Sequence, residues 1–196
     1  MKATLRVMCY NMLADSYTGP ATLYCPRWAL HWDYRKQRLL NELNQCNADV
    51  VCLQEVENEY FTTHFEPEME RLGYLGVFRP KSRARTKEDA RRVDGCAIFF
   101  KSELFDLLDL QLIEFQQVAM NKYEQLTGKK TNNSHDSGLN RLMTKDNIAL
   151  VVLLRVKSRA RTRLPHDRLM VVNTHIHWDP EYCDVKLMQT QLMLEQ

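Results

Sequence analysis

The sequence lacks paired cysteines, a signal peptide and a membrane-spanning segment. None of its six cysteines belongs to a CxxC pair, and the N-terminal stretch MKATLRVMCY contains no apolar signal-peptide core. No apolar run approaches the ~20 residues that a membrane-spanning helix needs. Cysteines scattered through apolar runs indicate reduced, buried thiols rather than a disulfide framework or a zinc site. These absences favour the cytoplasm or the nucleus.

A strong charge imbalance is also missing. The 27 Lys and Arg residues nearly balance the 25 Asp and Glu residues, so the net charge of +2 does not by itself indicate nucleic acid or an anionic membrane as a partner. The basic residues are nevertheless concentrated, seven against two acidic in residues 79–92 and six against one in 155–168. Such runs either hold a phosphate backbone or form a solvated loop face, and the sequence leaves both interpretations open.

The apolar pattern alternates between strand-like and helical segments. With 196 residues, 44% of them hydrophobic, the chain can bury the core of one domain. We predict strands over residues 4–10, 48–57, 72–81, 94–102, 147–157 and 168–177. We predict helices over residues 28–46, 60–72 and 181–196, an amphipathic stretch over 104–115, and a loop over 121–138. Strands that alternate with helices and are followed by strand pairs predict an α/β sandwich with a mixed sheet.

Polar side chains follow three of the predicted strands. Asn11 follows VMCY, Glu55 follows VVCLQ, and His175 follows VVNT. A carboxylate is a hard oxygen ligand for Mg²⁺, an imidazole can donate to a phosphate oxygen, and an amide can hold a phosphate or a water molecule. Together these strand ends predict metal-assisted hydrolysis of a phosphoester.

Each of these residues also has a structural interpretation. Asn11 could cap a turn, and Glu55 could be an exposed charge at a strand end. His175 and His177 share one face of the strand and could be hydrogen-bonded core histidines, while Trp178 could be packing. The order of the features along the chain, rather than any single residue, favours a functional site.

Eight consecutive blocks of the sequence carry a resemblance to a known family. They are VMCYNMLAD, CPRWALHWDYRKQRLLNEL, ADVVCLQEVE, GVFRPKSRA, VDGCAIFFK, EFQQVAMN, NRLMTKDNIA and NTHIHWDPEYCDVKLMQT. In this order they resemble the nuclease domain of the carbon catabolite repressor type deadenylases, which belong to the endonuclease, exonuclease and phosphatase superfamily. The resemblance implies the N-terminal half of a deoxyribonuclease-I-like α/β sandwich, with mixed sheets flanked by helices.

The resemblance also implies an activity and a catalytic centre. The expected reaction is Mg²⁺-dependent hydrolysis that releases 5′-AMP from the 3′ end of poly(A), as in an mRNA deadenylase of the complex assembled on the Not scaffold. Glu55 matches the glutamate that binds the catalytic Mg²⁺, and Asn11 matches an asparagine near the metals. His175 matches the histidine that contacts the scissile phosphate and stabilises its developing charge.

Further positions match substrate-binding residues of the family. Pro180 matches a proline that packs against an adenine base, and Asp89 lies where the family has a glutamate that contacts the base. Lys81 matches a lysine that relatives such as nocturnin present to a substrate phosphate. His177 stands where nocturnin-like relatives have a second lysine, and this departure favours the poly(A) branch. Trp178 and His177 are expected to shape the turn between His175 and Pro180.

Two motifs of the family are absent from the 196 residues. No Asp-x-Asn and no Ser-Asp-His occurs in them, and of the family's two-ion site the sequence supplies only the ligand Glu55. The leucine-rich repeats that often precede the nuclease domain are absent too. We therefore expect residues 1–196 to be a partial domain that lacks its C-terminal half and does not turn over substrate alone.

Two other functions remain open at this point. The chain could be a binding or scaffold module that keeps an RNA or partner surface without catalysis. It could also act on other phosphodiesters or phosphomonoesters, as the abasic-site endonucleases and inositol-phosphate phosphatases of the superfamily do. The block WDPEYCDVKLMQT argues against the second alternative, because it is not a signature of those enzymes.

Overall fold

Two β-sheets pack face to face in the computed structural model, which describes residues 4–19, 24–85, 90–128, 137–158 and 166–196. The strands are β1 (Val7–Asn11), β2 (Val50–Glu57), β3 (Tyr74–Pro80), β4 (Asp94–Lys101), β5 (Phe105–Glu114), β6 (Ile148–Val156) and β7 (Arg168–Thr174). The first sheet has the order β1-β2-β4-β3 and is mixed, because β1 runs parallel to β2 while the other pairs are antiparallel. The second sheet, β5-β6-β7, is antiparallel.

Helices cover the outer faces of both sheets. They are α1 (Arg27–Leu30), α2 (Trp32–Cys46), α3 (Asn58–Tyr60), which continues through a π-helical turn (Phe61–Phe65) into α4 (Glu66–Arg71), then α5 (Phe115–Thr127), α6 (Ser137–Met143) and α7 (Cys183–Leu194). Single 3₁₀ turns lie at Asp15–Tyr17, Ser82–Arg85, Ala90–Arg92 and Pro180–Tyr182. None of the helices in the described ranges has the length and apolar composition that a membrane crossing requires.

Three apolar clusters hold these layers together. One lies between the first sheet and helices α2 to α4, where Leu43, Phe65 and Met69 are buried. The second fills the space between the sheets, and the third lies beneath α5, α6 and α7 on the second sheet. Alternation along β2 explains this division, because Val51 points to the first cluster and Val50 to the second. The predicted fold class, an α/β sandwich with helices on its outer faces, is confirmed.

Two local predictions need correction. The helix predicted over residues 28–46 is interrupted at His31, whose backbone is extended (φ −59°, ψ 132°). The predicted loop 121–138 is wrong at both ends, since α5 continues to Thr127 and α6 begins at Ser137; residues 129–136 lie outside the described residues. The amphipathic stretch predicted over 104–115 is confirmed and is mostly strand β5, whose exposure alternates residue by residue.

The cysteine prediction holds for only part of the set. All six thiols are free, as predicted. Cys52 and Cys96 are buried, and burial raises the pKa of each to about 12. Cys9 and Cys183 are exposed, so the prediction of buried thiols is wrong for them.

One buried amide connects the two sheets. Asn173 of β7 is 2% exposed, and its Nδ2 donates to the carbonyls of Leu53 (2.8 Å) and Ala97 (2.9 Å), which are paired across β2 and β4. Its Oδ1 accepts from Gln54 Nε2 at 2.7 Å. Since buried polar groups are costly unless they are hydrogen-bonded, these contacts fix the position of β7 over β2.

The sandwich has two open strand edges on one side. Within the described residues, β1 pairs only with β2 and β7 only with β6, and Asn173 places β7 above β2. Along these edges Val7 is 53%, Met170 66% and Val172 39% exposed. Apolar side chains beside unpaired backbone groups favour association with another chain.

Replacing Asn173 by alanine should lower the free energy of unfolding by about 2–4 kcal/mol, because the Leu53 and Ala97 carbonyls lose a buried donor and the Gln54 amide loses its nearest acceptor. Urea denaturation followed by circular dichroism measures this loss. Asn44→Ala, an exposed position on α2, is the matched control and should change stability by less than about 0.5 kcal/mol. An Asn173→Ala protein as stable as the control would contradict this role of the amide.

The 196-residue chain should self-associate through its open edges at micromolar concentrations. The double variant Met170→Lys, Val172→Lys should lower the association measured by sedimentation velocity, because charged side chains disfavour edge-to-edge pairing. The control Leu126→Lys changes a residue on α5 that is 77% exposed and should leave association unchanged. A monodisperse wild-type monomer at these concentrations would show the prediction to be wrong.

Candidate functional site

A β-bulge places Glu55 at the end of the first sheet. In the parallel pair β1 and β2, Asn11 lies opposite Gln54, so both strands release their side chains at the same edge. The register of β2 against β4 shifts between Gln54 and Val56. Glu55 lies in this shift with φ +57°, a left-handed conformation that costs a non-glycine residue about 1–3 kcal/mol. Such backbone outliers cluster at functional sites, where the bulge redirects a side chain.

The Glu55 carboxylate is held by two donors. Asn11 Nδ2 donates to Oε1 at 2.7 Å, and the backbone N–H of Ala14 donates to Oε2 at 3.1 Å. The Asn11 Oδ1 accepts from the backbone N–H of Leu13 at 2.8 Å, and Leu13 also has a positive φ of 56°. Asn11 therefore caps the turn after β1, as the structural interpretation predicts, and also orients the Glu55 carboxylate. Its predicted place near metal ions and phosphate stays a prediction.

His175 approaches this carboxylate from the second sheet. Its Nδ1 lies 3.8 Å from Glu55 Oε1, is buried, and has no hydrogen-bond partner among the described residues. Burial, assisted by the positive charge of Lys81, lowers the pKa of the His175 imidazole below its usual value. The ring is therefore neutral near pH 7 and can donate one hydrogen bond.

Two buried amides fix the backbone around His175. Asn147 Nδ2 donates to the His175 carbonyl at 2.8 Å, and Gln189 Oε1 accepts from the His177 N–H at 3.0 Å. The two amides are joined by a 3.1 Å bond from Gln189 Nε2 to Asn147 Oδ1. Asn147, directly before β6, and Gln189 of α7 thus hold the segment after β7 in place.

A buried carboxylate organises the basic side of the cleft. Asp94 lies 2.8 Å from the Lys81 ammonium, 2.5 Å from the Arg83 guanidinium and 2.6 Å from the Tyr17 hydroxyl, which donates to it. The close approach of β3 and β4 makes this possible, since a Cβ at Gly95 would lie 2.1 Å from the Arg79 carbonyl. Arg83 also pairs with Asp146.

These contacts keep the Lys81 ammonium and the Asp94 carboxylate charged. Burial opposes the charge of Lys81, but the attraction and hydrogen bond of Asp94 outweigh it and raise the pKa of Lys81. Burial likewise opposes the charge of Asp94, and Lys81, Tyr17 and Arg83 together lower the pKa of its carboxyl. Burial and the hydrogen bond to Asp94 raise the pKa of Tyr17, so that its hydroxyl stays protonated.

Most of the predicted site residues meet in one cleft. A cavity of about 630 Å³ is lined by Asn11, Tyr17, Glu55, Lys81, Arg83, Asp146, His175 and Trp178, with six further residues. Pro180 is exposed and does not line this cavity, and Asp89 lies outside the described residues. The roles predicted for Pro180 and Asp89 stay predictions.

The sequence analysis missed several cleft residues. Tyr17, Arg83, Asp94 and Asp146 were not selected, although Arg83 belongs to the first basic run and Asp94 opens a predicted strand. Their importance depends on contacts between residues far apart in the chain. Asp94 and Tyr17, for example, are 77 positions apart.

The prediction for the turn after β7 is correct for only one of its two rings. His177 packs edge-on against Tyr182, with ring centroids 4.9 Å apart, as a turn-shaping residue would. Trp178 is 74% exposed, so the prediction that it packs within the turn is wrong.

The donor set fits a magnesium ion that is shared with a substrate. No group of three or more His, Cys, Asp or Glu side chains suited to a metal occurs in the described ranges, so Glu55 would be the principal protein ligand. Mg²⁺ keeps several water molecules and commonly binds one or two carboxylates together with substrate phosphates. The Nδ1 of His175 is too far from Glu55 for a direct hydrogen bond and has no other partner among the described residues.

Curated proteins similar to this chain include subunits of one complex. The CCR4-NOT transcription complex subunit 6-like-A of Xenopus laevis is 46% identical over 200 residues, which cover 97% of this chain and 35% of that protein. The CCR4-Not complex 3′-5′-exoribonuclease subunit Ccr4 of Mycosarcoma maydis is 44% identical over 98% of this chain and 27% of that protein. The chain therefore spans about a third of the length of the curated relatives it matches. The predicted resemblance to this group is confirmed.

Two solved structures match nearly the whole chain. ANGEL2, a 2′,3′-cyclic phosphatase in complex with adenosine-2′,3′-vanadate, matches with a TM-score of 0.73 and 31% identity, covering 97% of this chain and 46% of its own. The human Nocturnin catalytic domain with bound sulfate matches with a TM-score of 0.67 and 25% identity, covering 98% of this chain and 57% of its own.

A family model gives the assignment. The model described as the Endonuclease/Exonuclease/phosphatase family matches residues 8–187. This range contains both sheets and the cleft residues Asn11, Glu55, Lys81 and His175. The chain belongs to the endonuclease/exonuclease/phosphatase family.

Proposed function

We propose that this chain forms part of a Mg²⁺-dependent 3′-5′ exoribonuclease that shortens poly(A) and releases 5′-AMP. The observation that carries the proposal is the convergence in one cleft of Asn11 at the end of β1, Glu55 in the bulge of β2 and His175 directly after β7. Its best support from relatives is the 42–46% identity to CCR4-NOT proteins, among them two named 3′-5′-exoribonuclease subunits.

The cleft residues divide the work of phosphodiester hydrolysis. Glu55 would hold Mg²⁺, which when bound stabilises charge on a phosphoryl oxygen and lowers the pKa of a coordinated water. Asn11 and the Ala14 N–H keep the carboxylate fixed, so little reorganisation is needed when substrate arrives. The neutral imidazole of His175 would donate a hydrogen bond to the scissile phosphate, on the side of the cleft that faces Glu55.

The basic side of the cleft would position the substrate backbone. Lys81 and Arg83 lie at this wall, and Asp94 holds both in place while it cancels part of their charge. A phosphate near Lys81 therefore meets oriented N–H donors rather than a large excess of positive charge. Pro180 and Asp89 would contact the terminal adenine, as the family resemblance implies.

Residues 1–196 would supply one wall of this site. They contain neither the Asp-x-Asn nor the Ser-Asp-His motif of the family, and Glu55 would be their only ligand for the two-ion centre. We propose that hydrolysis requires carboxylates beyond those present in this chain. The proposed substrate is the poly(A) tail of mRNA, and the proposed partners are other subunits of a complex on the Not scaffold. The proposed location is the cytoplasm, with the nucleus as a second site.

A phosphatase of the same family is the second candidate. The similarity to ANGEL2, a 2′,3′-cyclic phosphatase, favours it. The identity to ANGEL2 is 31%, against 46% to the Xenopus CCR4-NOT protein, so nuclease activity remains the better supported function.

Glu55→Gln should weaken binding of Mn²⁺, used as a paramagnetic substitute for Mg²⁺, in the presence of 5′-AMP. The glutamine keeps the shape of the side chain but loses its charge, so the affinity should fall by at least about tenfold. Electron paramagnetic resonance of free Mn²⁺ measures this affinity. Glu59→Gln, at an exposed position of α3, should bind Mn²⁺ as the wild type does, and equal affinity of Glu55→Gln and wild type would contradict the assignment.

A chimera tests the proposed reaction directly. Residues 1–196 replace the matching 200 residues of the Xenopus relative, and the product is assayed on a 5′-labelled RNA with a 3′ A-tail. The chimera should shorten the tail and release 5′-AMP, Glu55→Gln should slow it by at least about 10²-fold, and the 196 residues alone should be inactive.

The alternatives give different products in the same assay. Hydrolysis of a 2′,3′-cyclic phosphate without tail shortening would indicate a phosphatase. Absence of both activities in a folded chimera would favour a binding or scaffold module. Tail shortening by residues 1–196 alone, abolished by Glu55→Ala, would contradict the expectation of a partial site.

A further inference from the structure

An exposed tryptophan lies at the cleft but has no role in the proposed chemistry. The Trp178 side chain is 74% exposed and lines the same cavity as Asn11, Glu55 and His175. Single exposed apolar residues are common on protein surfaces and by themselves indicate nothing. The position of Trp178, three residues after the proposed phosphate donor, is what requires an explanation.

The backbone that carries Trp178 is held rigidly. Asn147 and Gln189, which are 7% and 0% exposed, hydrogen-bond the His175 carbonyl and the His177 N–H. The His177 ring packs against Tyr182 on the other side. The indole is therefore presented from a fixed turn, which lowers the entropy cost of binding a flat ligand.

A lysine outside the Asp94 cluster lines the same cavity as the indole. Lys145 lines the same cavity, and its ammonium lies 3.9 Å from the centroid of the Tyr182 ring. Lys81 and Arg83, by contrast, are both paired with Asp94. Within the described part of the chain, no carboxylate forms an ion pair with Lys145. Its charge is therefore available to a phosphate.

We propose that Trp178 and Lys145 form a second nucleotide subsite, next to the phosphate at His175. The base of the penultimate nucleotide of a single-stranded RNA stacks on the indole, and a backbone phosphate beside that nucleotide lies against the ammonium. Three residues of extended chain span at most about 10 Å, a separation that one or two nucleotides bridge. Aromatic stacking of this kind accepts any base, so this subsite adds affinity rather than adenine selectivity.

This inference rests on the proposed function for the polarity of the RNA, and on the cleft geometry for the contacts. The competing occupant of the indole is another polypeptide segment, in which case RNA binding would not depend on Trp178. The two occupants are distinguished by measuring RNA affinity directly.

The experiment measures binding of 5′-fluorescein-labelled oligoadenylate to the 196-residue chain by fluorescence anisotropy. Trp178→Ala should weaken binding by about tenfold, and Trp178→Phe should retain most of the affinity because the ring remains. Lys145→Ala should weaken binding and lower the slope of log affinity against log salt by about 0.7, the value for one phosphate contact on a single strand. The matched control is Trp28→Ala, because Trp28 is 60% exposed and does not line the cleft.

An abasic nucleotide identifies the base that stacks. With the penultimate base removed, the RNA affinity of the wild type should fall by the about tenfold factor expected for Trp178→Ala. Trp178→Ala should then cause no additional loss of affinity for the abasic RNA. A further loss of about tenfold would overturn the assignment of the stacked base to the penultimate nucleotide.

The outcomes separate the subsite from the proposed reaction. If wild type binds oligoadenylate and Trp178→Ala and Lys145→Ala behave like Trp28→Ala, the subsite is overturned while the nuclease proposal stands. If both variants weaken binding but the chimera leaves A-tails intact, the subsite stands and the nuclease proposal fails. Absence of RNA binding by the folded wild type would overturn the subsite.

Discussion

The carboxylate of Glu55 reaches the cleft because β2 breaks its register at this residue. A regular strand would send its side chain to one face of the first sheet, where an apolar cluster lies on either side. The bulge instead holds Glu55 in a left-handed conformation, and donors from Asn11 and Ala14 fix both carboxylate oxygens. The unfavourable backbone is maintained because strands pair on both sides of it. Every step of the proposed chemistry depends on this orientation.

Buried amides extend that order to the rest of the cleft. Asn173 ties β7 to the first sheet, and Asn147 with Gln189 fixes the segment that leaves β7. His175 therefore faces Glu55 although the two residues are 120 positions apart and belong to different sheets. Asp94 holds the basic residues Lys81 and Arg83 in place on the basic side of the cleft. These contacts hold this side of the cleft in place without a ligand, as electrostatic preorganisation requires.

Local sequence patterns predicted most helices and strands and the polar residues that follow the strands. A buried strand is recognised by its run of apolar residues, and the first polar residue after that run marks where the strand reaches the cleft. Asn11, Glu55 and His175 could be found in this way. The contacts of Lys81 could not, because its pairing with Asp94 depends on the register of β3 against β4. The extension of α5 to Thr127 was also missed, because its polar sequence is supported by tertiary contacts with α7 and by the ion pair of Lys122 with Glu195, the residue after α7.

The same limit explains the error at Trp178. An indole in a short turn is usually packing, and only the three-dimensional arrangement shows that this one is exposed beside a cavity with Lys145. Sequence patterns report which side chains are apolar. They do not report whether the surrounding chain covers them.

In the proposed site, Glu55 would bind a metal ion and His175 would donate a hydrogen bond to the phosphate that the same ion binds. A crystal structure of the chain with Mn²⁺ and 5′-AMP would locate the metal through its anomalous scattering. We expect an anomalous peak about 2.1 Å from a Glu55 carboxylate oxygen, with the AMP phosphate within hydrogen-bond distance of the His175 imidazole. A metal bound elsewhere, or a phosphate that contacts neither residue, would refute this arrangement.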